Sequence, residues 1–249
     1  MQLYEITFSP TGGTRKCADL LAQGWGTDPI SVDLLKPVSD LEFAPDDVCL
    51  VAMPVYVGRI PSTAAQRLKA LHGNGAKAIL TAVYGNRLVE DALVEMEDIL
   101  TAQGFSVLAG VEAVAEHSIV RKFAAGRPDA QDASQLAEFA AKIREKLASG
   151  NQKAPSLPGN RPYRQAGPGL KPYADDRCTG CGRCAAECPV GAISPDNLKT
   201  EDPAVCISCM RCISVCPEHA RQNDPKMLQG LEAHLAPVCT ERRDNVLYL

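Results

Sequence analysis

The feature that most constrains this chain is a cysteine spacing that occurs twice between residues 178 and 217. Each copy reads C-x2-C-x2-C-x3-C-P, and together the copies contain eight of the 11 cysteines. The first copy supplies Cys178, Cys181, Cys184 and Cys188, and the second supplies Cys206, Cys209, Cys212 and Cys216. Three cysteines at every third residue can wrap one face of a compact metal–sulfur centre, whereas a fourth, followed by proline, turns away from it. The repeat therefore predicts two such centres.

The chemistry expected of this spacing is a pair of cubane iron–sulfur clusters, in which the fourth cysteine of each copy ligates the cluster of the other copy. One [4Fe–4S] cluster is then expected on Cys178, Cys181, Cys184 and Cys216. The second is expected on Cys206, Cys209, Cys212 and Cys188. Cross-ligation makes the two copies one folded unit, which the metal stabilises in place of a large apolar core.

Structural zinc and disulfide bonds are the two other uses of such cysteines. Structural zinc is bound by cysteine pairs that a longer loop separates, and this repeat supplies too many ligands for one closed tetrahedron. Disulfides require an oxidising compartment, and residues 1–6 show neither a charged n-region nor an apolar signal segment. We therefore expect reduced cysteines and a cytoplasmic location.

Composition bounds the class of function. The 249 residues suffice for one large domain or two smaller ones. Hydrophobic residues at 45% and charged residues at 22% are typical of a globular protein. A net charge of −4 provides no basic field for nucleic acid or an anionic membrane surface. No apolar run approaches the ~20 residues that span a bilayer. We expect no nucleic-acid partner and no membrane span.

Residues 1–150 alternate between strand and helix patterns. The predicted strands are 3–8, 30–34, 48–53, 76–83 and 105–115, and the predicted helices are 14–23, 62–71, 88–103 and 130–148. Short connections between alternating elements imply an α/β domain whose parallel sheet is covered by helices on both faces. Ligands of such sheets bind outside the carboxyl ends of the strands. Three loops, 9–14, 54–61 and 84–87, are predicted to lie there.

The first of these loops, Ser-Pro-Thr-Gly-Gly-Thr, offers donors for an anion. Ser9, Thr11 and Thr14 supply hydroxyls. Gly12 and Gly13 allow backbone N–H groups to close around a phosphate at the start of a helix. Neither the triphosphate pattern G-x4-G-K-[ST] nor the dinucleotide pattern G-x-G-x-x-G is present in it. A turn that only caps the helix is the alternative.

The other two loops each bring a tyrosine and a glycine to the same sheet edge. A planar isoalloxazine ring requires aromatic stacking and backbone donors, so these loops and the phosphate loop together predict flavin mononucleotide (FMN). The expected contacts are Pro54, Val55, Tyr56, Val57, Gly58, Tyr84, Gly85, Asn86 and Arg87. Alone, each tyrosine would more often be a half-buried packing residue. Arg59 and Arg87 are expected to add positive charge, which would favour a reduced, anionic flavin.

These motifs resemble two known families. Residues 1–150 resemble flavodoxins through loop 9–14, and residues 173–217 resemble bacterial two-[4Fe–4S] ferredoxins. The whole chain is similar to flavodoxin–ferredoxin fusion proteins, including loops of the Pro-Val-Tyr-x-Gly-Arg and Tyr-Gly-Asn-Arg type. The resemblance implies a flavodoxin-like five-stranded parallel sheet in the order 2-1-3-4-5, FMN at the three loops, a small C-terminal α+β ferredoxin domain, and electron transfer.

The expected domain organisation has four parts. Residues 1–150 form the FMN-binding domain, 151–172 a Pro/Gly-rich linker, 173–225 the ferredoxin domain and 226–249 a C-terminal tail. Prolines stiffen the linker, and Arg161, Tyr163 and Arg164 are expected to lay it along the flavodoxin surface. The apolar end of the tail is expected to dock on another element.

Two functions follow from these expectations. The first is an electron-transfer flavoprotein that exchanges electrons with redox partner proteins of the ferredoxin, hydrogenase or oxidoreductase type. The alternative is a ferredoxin-fed, FMN-dependent reductase of a small molecule such as a quinone or nitro compound. Arg59, Arg87 and residues 116–128 would then form its substrate pocket. A cluster-based redox sensor is a third class, but the sequence shows no DNA-binding or output element.

Overall fold

The computed structural model of this chain describes residues 1–165, 167 and 169–249. Two residues of the expected linker, Ala166 and Pro168, lie outside the described residues. In the described part, the main sheet has six strands: β1 (Leu3–Thr7), β2 (Ile30–Asp33), β3 (Val48–Pro54), β4 (Lys77–Tyr84), β5 (Ser106–Val114) and β6 (Val246–Tyr248).

The strand order in this sheet is β2-β1-β3-β4-β5-β6. The first five strands pair in parallel. The predicted flavodoxin-like order 2-1-3-4-5 is therefore confirmed. β6 pairs with β5 in the antiparallel sense and comes from the end of the chain. The apolar end of the tail thus docks on the sheet as a strand, which its sequence pattern does not predict.

Four helices cover the two faces of the sheet: α1 (Gly13–Gln23), α2 (Ser62–Leu68), α3 (Ala92–Ala102) and α4 (Ala130–Ala148). In the described C-terminal part of the chain, α5 (Arg183–Ala186), α6 (Arg211–Ser214) and α7 (Pro225–Cys239) follow. α3 begins later than predicted because Glu90 has a φ of +47°, which a right-handed helix cannot contain. None of the helices in the described ranges has the length and apolarity needed to cross a membrane.

The sheet separates two apolar layers. Phe8, Leu80 and Leu93 lie in the layer that α2 and α3 cover. The opposite layer includes Leu21 and Leu136 and is covered by α1 and α4. All seven residues of β3 are buried, as its continuous apolar run predicts for a strand covered on both faces. The sheet is thus a rigid platform for the loops at its carboxyl edge.

The region that contains the two cysteine motifs has little regular structure. Besides α5 and α6 it has one antiparallel pair of two-residue strands, Tyr173–Ala174 with Arg221–Gln222. A second two-residue pair, Leu41–Glu42 with Leu71–His72, lies in the first domain and is parallel. Because Leu71 joins this pair, α2 ends at Leu68 rather than at the predicted residue 71.

The linker lies along α3. The carboxylate of Asp91 accepts hydrogen bonds from the backbone N–H groups of Asn160 (2.8 Å) and Arg164 (2.7 Å). The guanidinium of Arg161 contacts both carboxylate oxygens of Asp98, at 2.7 and 2.8 Å. These contacts hold residues 160–164 on the first domain before the chain enters the cysteine motifs.

Candidate functional site

The eight motif cysteines form two groups, each of which draws on both copies of the motif. One pocket is lined by Cys178, Cys181, Cys184 and Cys216, and we call it the distal site. The other is lined by Cys188, Cys206, Cys209 and Cys212, and we call it the proximal site. Among the described residues, no three His, Cys, Asp or Glu side chains converge on a point suited to a single metal ion. The four sulfurs of each site instead surround a pocket.

The backbone of the two motif copies follows the same path. α5 begins directly after Gly182 (φ +74°), and α6 begins directly after Met210 (φ +60°). The N–H of Ala192 donates to the sulfur of Cys188, and the N–H of Ala220 donates to that of Cys216, both at 3.3 Å. Hydrogen bonds of this kind stabilise cluster-bound thiolates and tune cluster potential. The residues present therefore fit a cubane cluster at each site.

Burial disfavours the thiolate form of two cysteines of the proximal site. It raises the pKa of Cys209 to about 11 and that of Cys212 to about 12, and the neighbouring cysteines add to the increase. A bound metal reverses this preference because its charge stabilises the thiolate. Cluster binding and proton release are therefore coupled at this site.

The proximal site faces the carboxyl edge of the sheet. The side chain of Arg67, on α2, donates to the carbonyl oxygen of Pro189 at 2.6 Å. Ile207 packs against the apolar layer that contains β3 and β4. On the distal side Cys181 is exposed. One cluster site thus adjoins the sheet edge and the other opens toward solvent.

A cleft of about 750 Å³ lies where the sheet edge meets the proximal site. It is lined by the loop after β3, the loop after β4, residues 117–119, part of the linker, α7 and the segment that contains Cys206. From the expected flavin loops, the lining includes Val55, Tyr56, Val57, Gly58, Tyr84, Gly85 and Arg87. The cleft therefore unites two of the three predicted loops with a cysteine of the proximal site.

Loop 9–14 presents free donors at the start of α1. Among the described residues, none accepts a hydrogen bond from the N–H groups of Thr11, Gly12, Gly13 or Thr14. Gly12 has φ +91°, a left-handed conformation that glycine adopts at low cost. The Ser9 hydroxyl oxygen accepts the N–H of Arg15 at 2.9 Å, so this side chain caps the helix. Four unpaired N–H groups at a helix N-terminus fit a phosphate.

Several residues that were expected to contact FMN make packing or hydrogen-bond contacts with other parts of the protein. Tyr84 is the last residue of β4, and burial in the apolar layer raises its pKa to about 12. The Asn86 amide donates to two carbonyl oxygens of the C-terminal tail. A side chain at Gly58 would overlap Glu90, and one at Gly85 would lie 2.6 Å from His117. Asn86 is thus directed at the tail, and the two glycines permit close packing within the site. Pro54 ends β3 and is buried.

The two arginines expected to add positive charge are each paired with a carboxylate. The Arg59 guanidinium binds Glu95 through two hydrogen bonds of 2.7 Å, and Arg87 pairs with Glu90. Arg164 also pairs with Glu90, so three arginines share two carboxylates, and the expected positive charge at the flavin loops is reduced but not cancelled. The pairing of Arg59 has no local sequence signal, because Glu95 is 36 residues away along the chain.

His117 is a cleft residue that the sequence motifs do not single out. Its Nδ1 accepts the N–H groups of Ile119 (3.2 Å) and Val120 (3.0 Å), so the neutral ring carries its proton on Nε2. Burial, and then the charge of Arg87, lower its pKa to about 4. His117 is therefore a fixed neutral N–H donor at the cleft. Its only sequence signal is its position just after β5.

Residues 177–222 match the family model of the 4Fe-4S dicluster domain. The chain therefore joins an α/β domain with the flavodoxin-like strand order to a segment that matches the 4Fe-4S dicluster domain. The match spans both cysteine sites, and it leaves the linker, α7 and β6 outside the dicluster domain.

Solved structures with a similar fold cover the flavodoxin-like part. A Streptococcus pneumoniae TIGR4 flavodoxin is 20% identical, covering 58% of this chain and 99% of its own, with a TM-score of 0.41. A Fusobacterium nucleatum flavodoxin bound to flavin mononucleotide is 15% identical, covering 59% and 99%, with a TM-score of 0.42. Rubredoxin oxygen:oxidoreductase from Desulfovibrio gigas is 17% identical, covering 59% and 36%, with a TM-score of 0.42. The comparison with curated proteins found no match.

Proposed function

We propose that this fusion protein passes electrons between external redox partners and FMN through its two [4Fe–4S] clusters. One observation carries the proposal: Cys206 of the proximal site lines the same cleft as the loops after β3 and β4. A cluster held there and a flavin ring held by these loops would share one cavity. External partners of the ferredoxin, hydrogenase or oxidoreductase type would then meet the chain at the exposed distal site.

The residues present fit FMN in two respects. The unpaired N–H groups of loop 9–14 would bind the phosphate, and the cleft beside Tyr56 and Gly85 would hold the ring. Bound FMN supplies a centre that exchanges one or two electrons. The chain itself sets the position of the centres, the hydrogen bonds to the sulfurs and access of solvent. No nucleophile or acid–base pair is required for this role.

Cofactor content tests the proposal first. Anaerobically purified protein is expected to contain about eight irons, as two four-iron clusters require, and one FMN per chain. Cys209→Ala and Cys181→Ala should each lose about four irons, since each removes one ligand of a different cluster. Cys49→Ala changes a buried cysteine outside both sites and should keep all the iron.

Electron flow tests the order of the centres. With a reduced ferredoxin as donor, Cys209→Ala should abolish flavin reduction, because the centre beside the cleft is missing. Cys49→Ala should reduce its flavin at the wild-type rate. Colourless wild-type protein, or flavin reduction in Cys209→Ala at the rate of Cys49→Ala, would contradict the proposal.

A small-molecule reductase is the second candidate function. It is favoured because several segments of the chain enclose the cleft. α7, the linker and the proximal site all contribute walls, so a large protein partner has restricted access to the ring position. The neutral His117 N–H suits a flat, uncharged acceptor with a carbonyl oxygen, such as a quinone.

Steady-state kinetics distinguish the two functions. A reductase should show saturable quinone reduction, with a raised KM in His117→Gln and unchanged iron and flavin content. A carrier should reduce quinones slowly and without saturation, and His117→Gln should leave that slow rate unchanged.

A further inference from the structure

Arg211 makes direct contact between the proximal site and loop 9–14. It lies between Cys209 and Cys212 and is the first residue of α6. Its guanidinium donates to the carbonyl oxygen of Pro10 at 3.1 Å and pairs with Glu187. The hydroxyl of Ser214, on the same short helix, donates to the carbonyl oxygen of Arg211 at 2.9 Å and lies 3.4 Å from that of Pro10. Arg211 therefore holds this carbonyl of the loop, and Ser214 lies beside it.

The orientation of this carbonyl determines where the next N–H points. In a trans peptide, the C=O of Pro10 and the N–H of Thr11 lie in one plane and point in opposite directions. Holding the Pro10 oxygen toward α6 therefore turns the Thr11 N–H away from α6. That N–H is the first of the four that have no acceptor among the described residues.

Loop 9–14 also has no cation of its own. Residues 9–14 contain no cationic side chain, and the Arg15 guanidinium is occupied by Glu5 and by the Ser31 hydroxyl. The side chain of Arg211 is 25% exposed. Its Nε is buried and has no partner in the described residues. Arg211 thus places a cation, partly balanced by Glu187, directly against a loop that lacks its own.

We propose that Arg211 is a positioning residue for the FMN phosphate, through which the dicluster domain strengthens FMN binding. The proposal rests on the FMN site put forward above. Because the flanking residues Cys209 and Cys212 belong to the proximal site, cluster assembly fixes the backbone that carries Arg211. Coupling between two binding sites is reciprocal, so bound FMN should also stabilise the proximal cluster.

The first copy of the motif contains a matched control. Arg183 occupies the equivalent position, between Cys181 and Cys184, as the first residue of α5. Its side chain is exposed, and within the described residues it makes no hydrogen bond to the flavodoxin-like domain. Arg183→Gln therefore changes the same residue type in the same local structure without touching loop 9–14.

The test compares FMN with riboflavin, which has the same ring but no phosphate. Cluster-loaded protein freed of flavin is titrated anaerobically with each compound, and flavin fluorescence reports binding. Arg211→Gln should weaken FMN binding by about tenfold or more, the usual effect of losing a hydrogen bond from a charged group. Riboflavin binding should stay at the wild-type level, and Arg183→Gln should alter neither titration.

Two further variants keep the test decisive if Arg211→Gln assembles poorly. Arg211→Lys retains the charge and should lose less FMN affinity than Arg211→Gln. Ser214→Ala removes the hydroxyl beside the Pro10 carbonyl and should weaken FMN binding by about twofold, less than Arg211→Gln, because this contact is long. Iron content of each variant is measured alongside.

Unchanged FMN affinity in Arg211→Gln and Ser214→Ala would overturn the proposal. Equal losses of FMN and riboflavin would also overturn it, because they would show that Arg211 only docks the two domains. Wild-type protein that binds neither compound would instead overturn the FMN site itself, and this proposal with it.

Discussion

The amide of Asn86 joins the end of β4 to the C-terminal tail. Its Nδ2 donates to the carbonyl oxygens of Cys239 (2.6 Å) and Glu241 (2.7 Å), and its Oδ1 accepts the N–H of Arg243 at 3.3 Å. The side chain is only 2% exposed, so water cannot replace these partners. At the scale of single residues, it is one of the main links between the site loops and the tail.

Asn86→Asp should therefore destabilise the protein strongly. Aspartate tolerates the left-handed backbone, but it replaces two N–H donors with a carboxylate that faces two carbonyl oxygens. We expect a loss of about 2–4 kcal/mol in the free energy of unfolding, measured by chemical denaturation. Asn151→Asp is the control because its exposed oxygen accepts a hydrogen bond that aspartate can keep. Equal stability of the two variants would contradict this prediction.

The lowered pKa of His117 predicts a pH-dependent contribution to stability. Its folded-state pKa of about 4 lies below the ordinary value of 6.5. Between these values the unfolded chain binds a proton that the folded protein does not. Stability from this group is therefore complete above about pH 6.5 and falls as pH decreases toward 4, by up to about 3 kcal/mol.

Chemical denaturation of flavin-free protein from pH 7.5 to 4 checks this expectation. The stability difference between wild type and His117→Gln should shrink as the pH falls, because the variant lacks the group that titrates. His234→Gln, at an exposed position, provides the reference. A wild-type curve parallel to that of His117→Gln would show that His117 does not titrate as expected.

At the scale of elements, β6 covers an edge of the main sheet. It pairs with β5 along Gly110, Val111 and Glu112, and the Tyr248 hydroxyl donates to Glu112 at 2.7 Å. Immediately before it, the Asn245 side chain accepts the N–H of Val114 at 2.8 Å. An uncovered β5 would present unpaired backbone groups that favour edge-to-edge association.

Removal of residues 246–249 should therefore lower the melting temperature and cause association. The truncated chain keeps Asn245, so the loss is confined to β6. Thermal unfolding and size-exclusion chromatography provide the measurements, with Tyr248→Phe as a milder control that loses one hydrogen bond, worth about 1 kcal/mol. A truncated chain that melts and elutes like wild type would rule out an edge-covering role for β6.

At the scale of the whole molecule, the dicluster domain is held between two segments that are both packed on the flavodoxin-like domain. Residues 160–164 bind α3 before it, and α7 packs on Val120 and Phe123 after it. The region between them has two four-residue helices and one two-residue strand pair. Such a region depends on its metal centres for stability.

Iron removal should therefore unfold the dicluster region and leave the sheet intact. After anaerobic chelation, hydrogen exchange and limited proteolysis should increase within residues 173–222. Amides of β3 and β4 should keep their protection, and α7 should stay on the first domain. Undiminished protection of residues 173–222 in iron-free protein would show that side-chain packing, and not metal, maintains this fold.

The sequence by itself determined the features that depend on local spacing. Thiolate ligands at every third residue predict a pair of clusters, because ligation geometry depends on a few neighbouring residues. Continuous apolar runs predict β3 and β4, because strands buried on both faces need them. The order 2-1-3-4-5 came from resemblance to flavodoxins, and the structure confirms it.

Only the tertiary structure decided which groups meet across long stretches of chain. It placed Cys206 at the flavin cleft, paired Arg59 with Glu95, directed Asn86 to the tail and brought Arg211 to Pro10. No local pattern encodes these contacts, because they depend on how the linker and tail fold back over the sheet edge. The cofactor chemistry could therefore be predicted from residue spacing. The proposed electron path between the cofactors depends instead on how the linker and tail pack against the sheet edge.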